Sequence, residues 1–365
     1  MAIADTGIYD IHKTWMENLE NGPDFKGKIP QRNIPDKTQW IDFLGHKVSS
    51  RLGIPAGPLL NSTWIGFAAD FGYDIVTYKT IRTHDHPSHP APNMVPVSIK
   101  GQLIPGKLPQ SLQALSKLPN DITELGITNS FGNPSRSSKY LRQDIPLANS
   151  KLRDGQVMVV SIFGTEQGKV TMVDDFAGCA AFAKECGAKV IEANYSCPNV
   201  SSKEGSLYAS PEAVYEFSSK IVKVLGDTPL IIKVGVFPNK SMMQETFVAA
   251  ARAGVRAISG INTISMKVLD SKGNAALGSN RLNCGICGSP IHQAAVEFTQ
   301  AARSIIDKQK LGMTLISTGG VMIPEHFQNF FNAGADFAMT ATGMMWNPHL
   351  ANQYKSTTLD KIYAT

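Results

Sequence analysis

Six residues near the middle of the chain, Asn194-Tyr195-Ser196-Cys197-Pro198-Asn199, set two carboxamides around one thiol. Each amide offers donors and acceptors to a planar polar ligand, and a thiol between them can take or give a proton once its acidity is tuned. The alternative is that Cys197 is a small buried filler and that the asparagines make turns about Pro198, because free cysteine is among the most buried residue types. The preceding Lys189-Val190-Ile191-Glu192-Ala193 has the short β-rich look of a buried parallel strand, and Gly187 ahead of it reads as a helix stop. The six residues thus stand at a strand end, where α/β proteins keep their chemistry.

One phrase organises the chain: an apolar helical pattern, a glycine, then a short β-branched run. It occurs as Phe67–Gly72 before Ile75–Lys79, and as Phe182–Gly187 before Val190-Ile191. It returns as Ala250–Gly254 before Ala257–Asn262, and as Phe330–Gly334 before Phe337–Thr340. In each copy the glycine supplies the left-handed residue that turns a helix back into a strand, and repeated returns imply a parallel sheet. With the runs at 52–56, 157–162, 229–235 and 313–318 there are eight strand candidates, the number that closes a (β/α)8 TIM barrel, an open doubly wound α/β sheet being the alternative. Two helices are predicted between them. Val214, Phe217, Ile221 and Leu225 follow the cap Ser210-Pro211-Glu212, and Ile291, Ala295, Phe298, Ala302 and Ile305 form one stripe after Ser289-Pro290. The expected organisation is an N-terminal extension over 1–44, a barrel over 45–350 and a tail over 351–365. A Pro-rich insertion over about 81–147 is expected to lie across the barrel mouth.

The 365 residues, 42% of them hydrophobic, suffice for one large domain with a sizeable core. A net charge of +5, with no run of Lys and Arg interleaved with aromatics, argues against nucleic acid as a partner. Five cysteines scattered through the chain, an odd number, point to a reducing compartment rather than a disulfide framework. The acidic first thirty residues lack an apolar core suited to a signal peptide, and no run approaches a membrane span. A cytoplasmic protein is expected.

In a barrel the strand ends collect at one mouth: Ala56-Gly57, Lys79-Thr80, Ser161, Asn194 to Asn199, Lys233, Asn262-Thr263, Thr318-Gly319-Gly320 and Thr342-Gly343. Two lysines at strand ends suggest a ligand with negative charge. Gly319-Gly320 and Thr342-Gly343 offer bare backbone N–H groups and a hydroxyl on the last two strands, where barrels commonly hold phosphate.

These phrases, with Gly53-Ile54-Pro55-Ala56-Gly57-Pro58, Asn129-Ser130-Phe131-Gly132 and Ile232-Lys233-Val234, run in an order that resembles the dihydroorotate dehydrogenases over roughly 45–350. Cysteine in the Ser-Cys-Pro-Asn phrase is similar to the soluble class 1 branch. The resemblance implies a barrel that holds FMN and oxidises dihydroorotate to orotate, and a homodimer. It implies that Lys79, Asn129, Asn194, Asn199, Asn262 and Thr263 contact the pyrimidine. It assigns the flavin and its phosphate to Ala56, Gly57, Lys79, Thr80, Asn194, Lys233, Gly288, Gly319, Gly320, Thr342 and Gly343, and makes Cys197 the base. A thiol has an ordinary pKa of about 8.5, so its thiolate is accessible with modest tuning.

Three features depart from the pattern. The phosphate loop that the family writes Gly-Gly-x-Ser-Gly reads Cys284-Gly285-Ile286-Cys287-Gly288, one Cys-x-x-Cys pair and so half a zinc site. Asn133 stands where class 1 members show an apolar residue, and His84-Asp85-His86-Pro87-Ser88-His89 reads as a solvated loop; no metal is expected. The nearest rival is a flavoprotein similar to dihydropyrimidine dehydrogenase acting on uracil or thymine, but that family tends to show His at the place of Asn199. A flavin-free barrel lyase with Lys233 as Schiff base is the rival from another class.

Overall fold

The computed structural model describes residues 7–196 and 207–363. Among them, eight parallel strands close into a barrel: β1 Leu52–Ile54, β2 Ile75–Ile81, β3 Val157–Ile162, β4 Val190–Asn194, β5 Leu230–Lys233, β6 Ala257–Gly260, β7 Thr314–Thr318 and β8 Phe337–Met339. These are the eight predicted strands, and the closed ring settles the barrel against the open sheet. The helices fall where caps and stripes put them. Pro211–Leu225 starts on Ser210, whose hydroxyl accepts from the Ala213 N–H, and Val214, Phe217, Ile221 and Leu225 are buried along one side. His292–Lys308 likewise buries Ala295, Phe298, Ala302 and Ile305.

Strand registers sort the interior into layers of four, each from alternate strands. The lowest holds Ile75, Val190, Ala257 and Phe337, and the next Gly53, Val159, Ile231 and Ile316. Above these come Thr77, Glu192, Ser259 and Met339, then Pro55, Ser161, Lys233 and Thr318. Lys79, Asn194, Ile261 and Ala341 stand at the mouth. The apolar bottom is closed by a hairpin, Ile41–Phe43 against His46–Val48, whose Phe43 ring meets Phe337 edge-on at 4.8 Å. Its two-residue turn, Leu44-Gly45, has φ of 54° and 92°, the left-handed pair that matches strand twist.

Three features differ from expectation. First, the passage over 81–147 is not one excursion. Ser138–Ser150 is a helix packed on the helix Ser62–Asp70, so the chain has rejoined the barrel's outer layer well before 147. Second, the cover over the mouth draws on two segments. Met94–Ser98, Leu112–Ala114 and Gly126–Asn129 come from the first, and Ile264–Leu269 and Asn283–Gly288 follow β6; together they form a small closed sheet. Third, residue 44 is no boundary, because it is a turn residue of the hairpin that plugs the barrel. Ahead of that hairpin the chain runs the length of the barrel, since Tyr9 and Trp15 reach the mouth while Arg32 binds Asp74 at the foot of β2. The N-terminal helix Trp15–Asn21 is set by a capping box, in which the Thr14 hydroxyl accepts from the Glu17 N–H and the Glu17 carboxylate accepts from the Thr14 N–H.

Candidate active site

Between the barrel mouth and the small sheet lies a cavity open on one side, with about 1150 Å3 of space free of protein atoms when the solvent at its opening is included. β2 is irregular between Tyr78 and Ile81, and this lets two successive side chains, Lys79 and Thr80, line the cavity. Thr80 Oγ1 lies 3.0 Å from Ser161 Oγ. Lys79 and Lys233 are only 8% and 4% exposed, so two cations are held at one desolvated mouth. Lys233 Nζ donates to the Ala56 carbonyl at 3.2 Å, which ties the end of β5 to the backbone that follows β1.

Asn194 ends β4, and its Oδ1 accepts from the Ser196 N–H at 3.3 Å. Asn262, just past β6, donates through Nδ2 to the Ser196 carbonyl. The base of the Asn-Tyr-Ser segment is therefore gripped from both sides. Cys197 and Asn199 lie outside the described residues. From the covering sheet comes Asn129, whose Nδ2 donates to Cys287 Sγ at 3.4 Å. Thr263 Oγ1 is buried, lines the cavity and has no partner.

On the far side Gly319 and Gly320 follow β7 with φ of 133° and 68°. A Cβ at Gly320 would stand 2.7 Å from the backbone nitrogen of His292, so only glycine lets this turn lie against the start of the helix His292–Lys308. Two stacked imidazoles, 4.0 Å apart, back the turn. His292 Nδ1 donates to the Gly319 carbonyl at 3.1 Å while its Nε2 accepts from Asn329, and His326 Nδ1 lies 3.0 Å from the Gly320 carbonyl. Burial and the neighbouring His326 push the His292 pKa down to about 4, against the opposing pull of the Gly319 carbonyl.

Ala56, Gly57, Lys79, Thr80, Asn129, Asn194, Lys233, Asn262, Thr263, Gly288, Gly319, Gly320 and Thr342 all line this one cavity. Gly343 does not; it is packed behind the wall, where a Cβ would stand 2.2 Å from the Val321 carbonyl. The expected phosphate loop is not a loop. Asn283–Gly288 is a strand of the cover, so Cys284 and Cys287, three residues apart, point to opposite faces and cannot share a metal. Cys287 faces the cavity, and burial pushes its thiol up to about 11, opposed by hydrogen bonds from Thr342 and Asn129. The histidine stretch is pinned rather than free: His86 exchanges backbone hydrogen bonds with Ser135, and His89 Nδ1 lies 3.2 Å from Ser130 Oγ. Asn133 lines the cavity with φ of 53°, a conformation that asparagine tolerates better than most residues. Tyr9 and Trp15, which the sequence does not single out, also line it, as does Phe131 of the Asn129–Gly132 phrase; the Tyr9 ring meets Phe131 edge-on at 6.1 Å.

With this geometry the chain can be set beside known proteins. The family profile described as dihydroorotate dehydrogenase matches residues 118–358. A dihydroorotate dehydrogenase of Dictyostelium discoideum is 48% identical over 355 residues, 95% of this chain and 96% of that protein. A catalytic subunit of dihydroorotate dehydrogenase B (NAD(+)) from Caldicellulosiruptor saccharolyticus is 33% identical over 168 residues, 46% of this chain and 52% of its own. A dihydroorotate dehydrogenase A (fumarate) from Limosilactobacillus reuteri is 26% identical over 167 residues, 46% of this chain and 52% of its own. The profile spans more than half of the chain and the first of these relatives nearly all of it, and the chain belongs to the dihydroorotate dehydrogenase family.

Proposed function

We propose that the protein oxidises dihydroorotate to orotate with FMN as its cofactor. The observation that carries this is one cavity in which two buried lysines and the carboxamides of Asn129, Asn194 and Asn262 converge beside the bare backbone of Gly319-Gly320. The residues fit the flavin: Thr263 Oγ1 is a buried oxygen in need of a partner, and the Gly319-Gly320 turn leaves N–H groups without side chains beside them. FMN would be held by Ala56, Gly57, Lys79, Thr80, Asn194, Lys233, Gly288, Gly319, Gly320 and Thr342, with Gly343 shaping the wall behind. When bound it supplies the hydride acceptor for C6 of the dihydropyrimidine.

The chain's own residues do the rest. Asn129, Asn194, Asn199, Asn262 and Thr263 hold the ring by its amide edges, and Lys79 meets the carboxylate that distinguishes dihydroorotate from dihydrouracil. Lys233 places a fixed positive charge where negative charge accumulates. Cys197 accepts the C5 proton at its sulfur. With this reading we propose a reducing, cytoplasmic setting, supported by an odd number of cysteines scattered through the chain, and a homodimer. Among the described residues no helix is long and apolar enough to cross a membrane.

The test is anaerobic spectroscopy of the purified protein. Noncovalent FMN is expected, bleached by dihydroorotate and not by dihydrouracil; equal bleaching by the two moves the assignment to uracil or thymine chemistry. Cys197→Ala is expected to keep FMN and bind orotate yet reduce the flavin at least about a hundredfold more slowly, the usual share of a positioned base. A near-wild-type rate would leave Cys197 a packing residue.

A further inference from the structure

One cross-section of the barrel carries polar groups that neither the core nor the cavity uses. Thr77 on β2, Glu192 on β4 and Ser259 on β6 share a layer with Met339 on β8, and are 1%, 2% and 0% exposed. Thr77 Oγ1, Glu192 Oε1 and Ser259 Oγ are buried with no hydrogen-bond partner. The two layers beneath fill the same width with valine, isoleucine, alanine, phenylalanine and one glycine, Gly53, so packing alone does not ask for oxygen here. Three orphan oxygens facing one axis match the needs of an internal water, which makes about three hydrogen bonds to otherwise unsatisfied groups.

A carboxyl group in such a place also asks for a cation. Glu192 lies across from Ile231, and Lys233 stands two residues further along β5, on the same inward face and one layer higher. They are diagonal neighbours, within reach of two long side chains. One of the three donors of Lys233 goes to the Ala56 carbonyl.

We propose that Glu192 is a positioning residue: with water held between it, Thr77 and Ser259, it anchors Lys233 from below and sets how much positive charge Lys233 presents to the flavin. This rests on the FMN reading above. A negative charge beneath the lysine offsets part of its field, so the seat stabilises reduced flavin less than a lone lysine would, and the flavin is kept ready to pass its electrons on.

Glu192→Gln keeps the shape and removes the charge. The flavin midpoint potential, read by equilibration with a redox dye and without dihydroorotate, is expected to rise as reduced FMN becomes about tenfold more favoured, near 30 mV for a two-electron couple. An unchanged potential with retained flavin overturns the proposal and leaves the function intact. Protein that binds no FMN removes both. High-resolution diffraction from the wild-type protein gives a second measurement that needs no variant: density for water within hydrogen-bond reach of Thr77 Oγ1, Glu192 Oε1 and Ser259 Oγ is expected, and a dry layer overturns the proposal.

Discussion

At the closed end of the barrel Ile75, Val190 and Ala257 meet Phe43 and Val48 of the plug, whereas four residues further along the same strands stand Lys79, Asn194 and Ile261 at the cavity. One set of strands thus has two interiors. The closed end buries apolar surface and stabilises the fold; the open end concentrates cations and amides that water would otherwise solvate, a cost that a bound ligand helps to offset. The division teaches that stability and chemistry are separable along one strand, by as little as the step from Ile231 to Lys233.

The largest effect is expected at the closed end. Asp74 is fully buried and collects Arg32 and Lys355, each at 2.9 Å, together with the Ser49 hydroxyl at 2.7 Å. Asp74→Ala strands two desolvated cations, and a loss of about 3–5 kcal/mol in chemical denaturation is expected, with FMN content per folded molecule unchanged. A loss below about 1 kcal/mol would show that the closed end tolerates charge as the mouth does. Next comes the direct comparison on β5. Ile231→Ala is expected to cost about 2–5 kcal/mol of stability and leave flavin binding alone. Lys233→Ala is expected to keep the melting temperature of the flavin-free protein while FMN affinity or the rate of flavin reduction falls on the order of a hundredfold. If the two variants exchanged phenotypes, the division would be lost.

The smallest effect is a pH dependence at the mouth. His292 has a folded pKa of about 4, below the ordinary 6.5, so between these values the unfolded chain binds a proton that the folded chain refuses. Its contribution to stability is therefore full above pH 6.5, falls as the pH drops toward 4 and is flat below. Because His292 backs Gly319 and Gly320, FMN release measured by fluorescence is expected to follow the same window. His292→Asn should shallow that slope, and a profile identical to wild type would detach the histidine pair from any role at the Gly319-Gly320 turn.

Much of the frame is legible in the sequence because its signals are local. Gly72, Gly187, Gly254 and Gly334 each end a helix within a few residues of a strand, and Ser210 with Pro211 writes a helix start, so strands and helices follow from neighbours alone. The cover is illegible for the opposite reason. Asn283–Gly288 is a strand because Gly126–Asn129 lies beside it, some 160 residues away in the chain, and the Cys-x-x-Cys pattern within it looks like a ligand pair only until the pleat separates the thiols. Thr14 and Glu17 write the start of the helix that carries Trp15, but nothing near Tyr9 or Trp15 in the sequence says that they reach the mouth; that place depends on tertiary contacts such as the Ile8 N–H to the Met345 carbonyl. Thr77, Glu192 and Ser259 become one group only when strand registers are known. The mouth residues were legible one by one, and their convergence follows from closure of the ring.

The Asp74 clamp also bears on how the protein is made. During synthesis from the N-terminus, Arg32 and Asp74 emerge close together, but Lys355, 281 residues beyond Asp74, follows only after the eight described barrel strands. A chain stopped between Met345 and Lys355 carries the eight described strands of the barrel and the described residues that line the cavity, yet its buried carboxylate lacks one of its two cations. Such a product is marked by an unfinished foot, and proteases that sample local opening can remove it before it holds a cofactor.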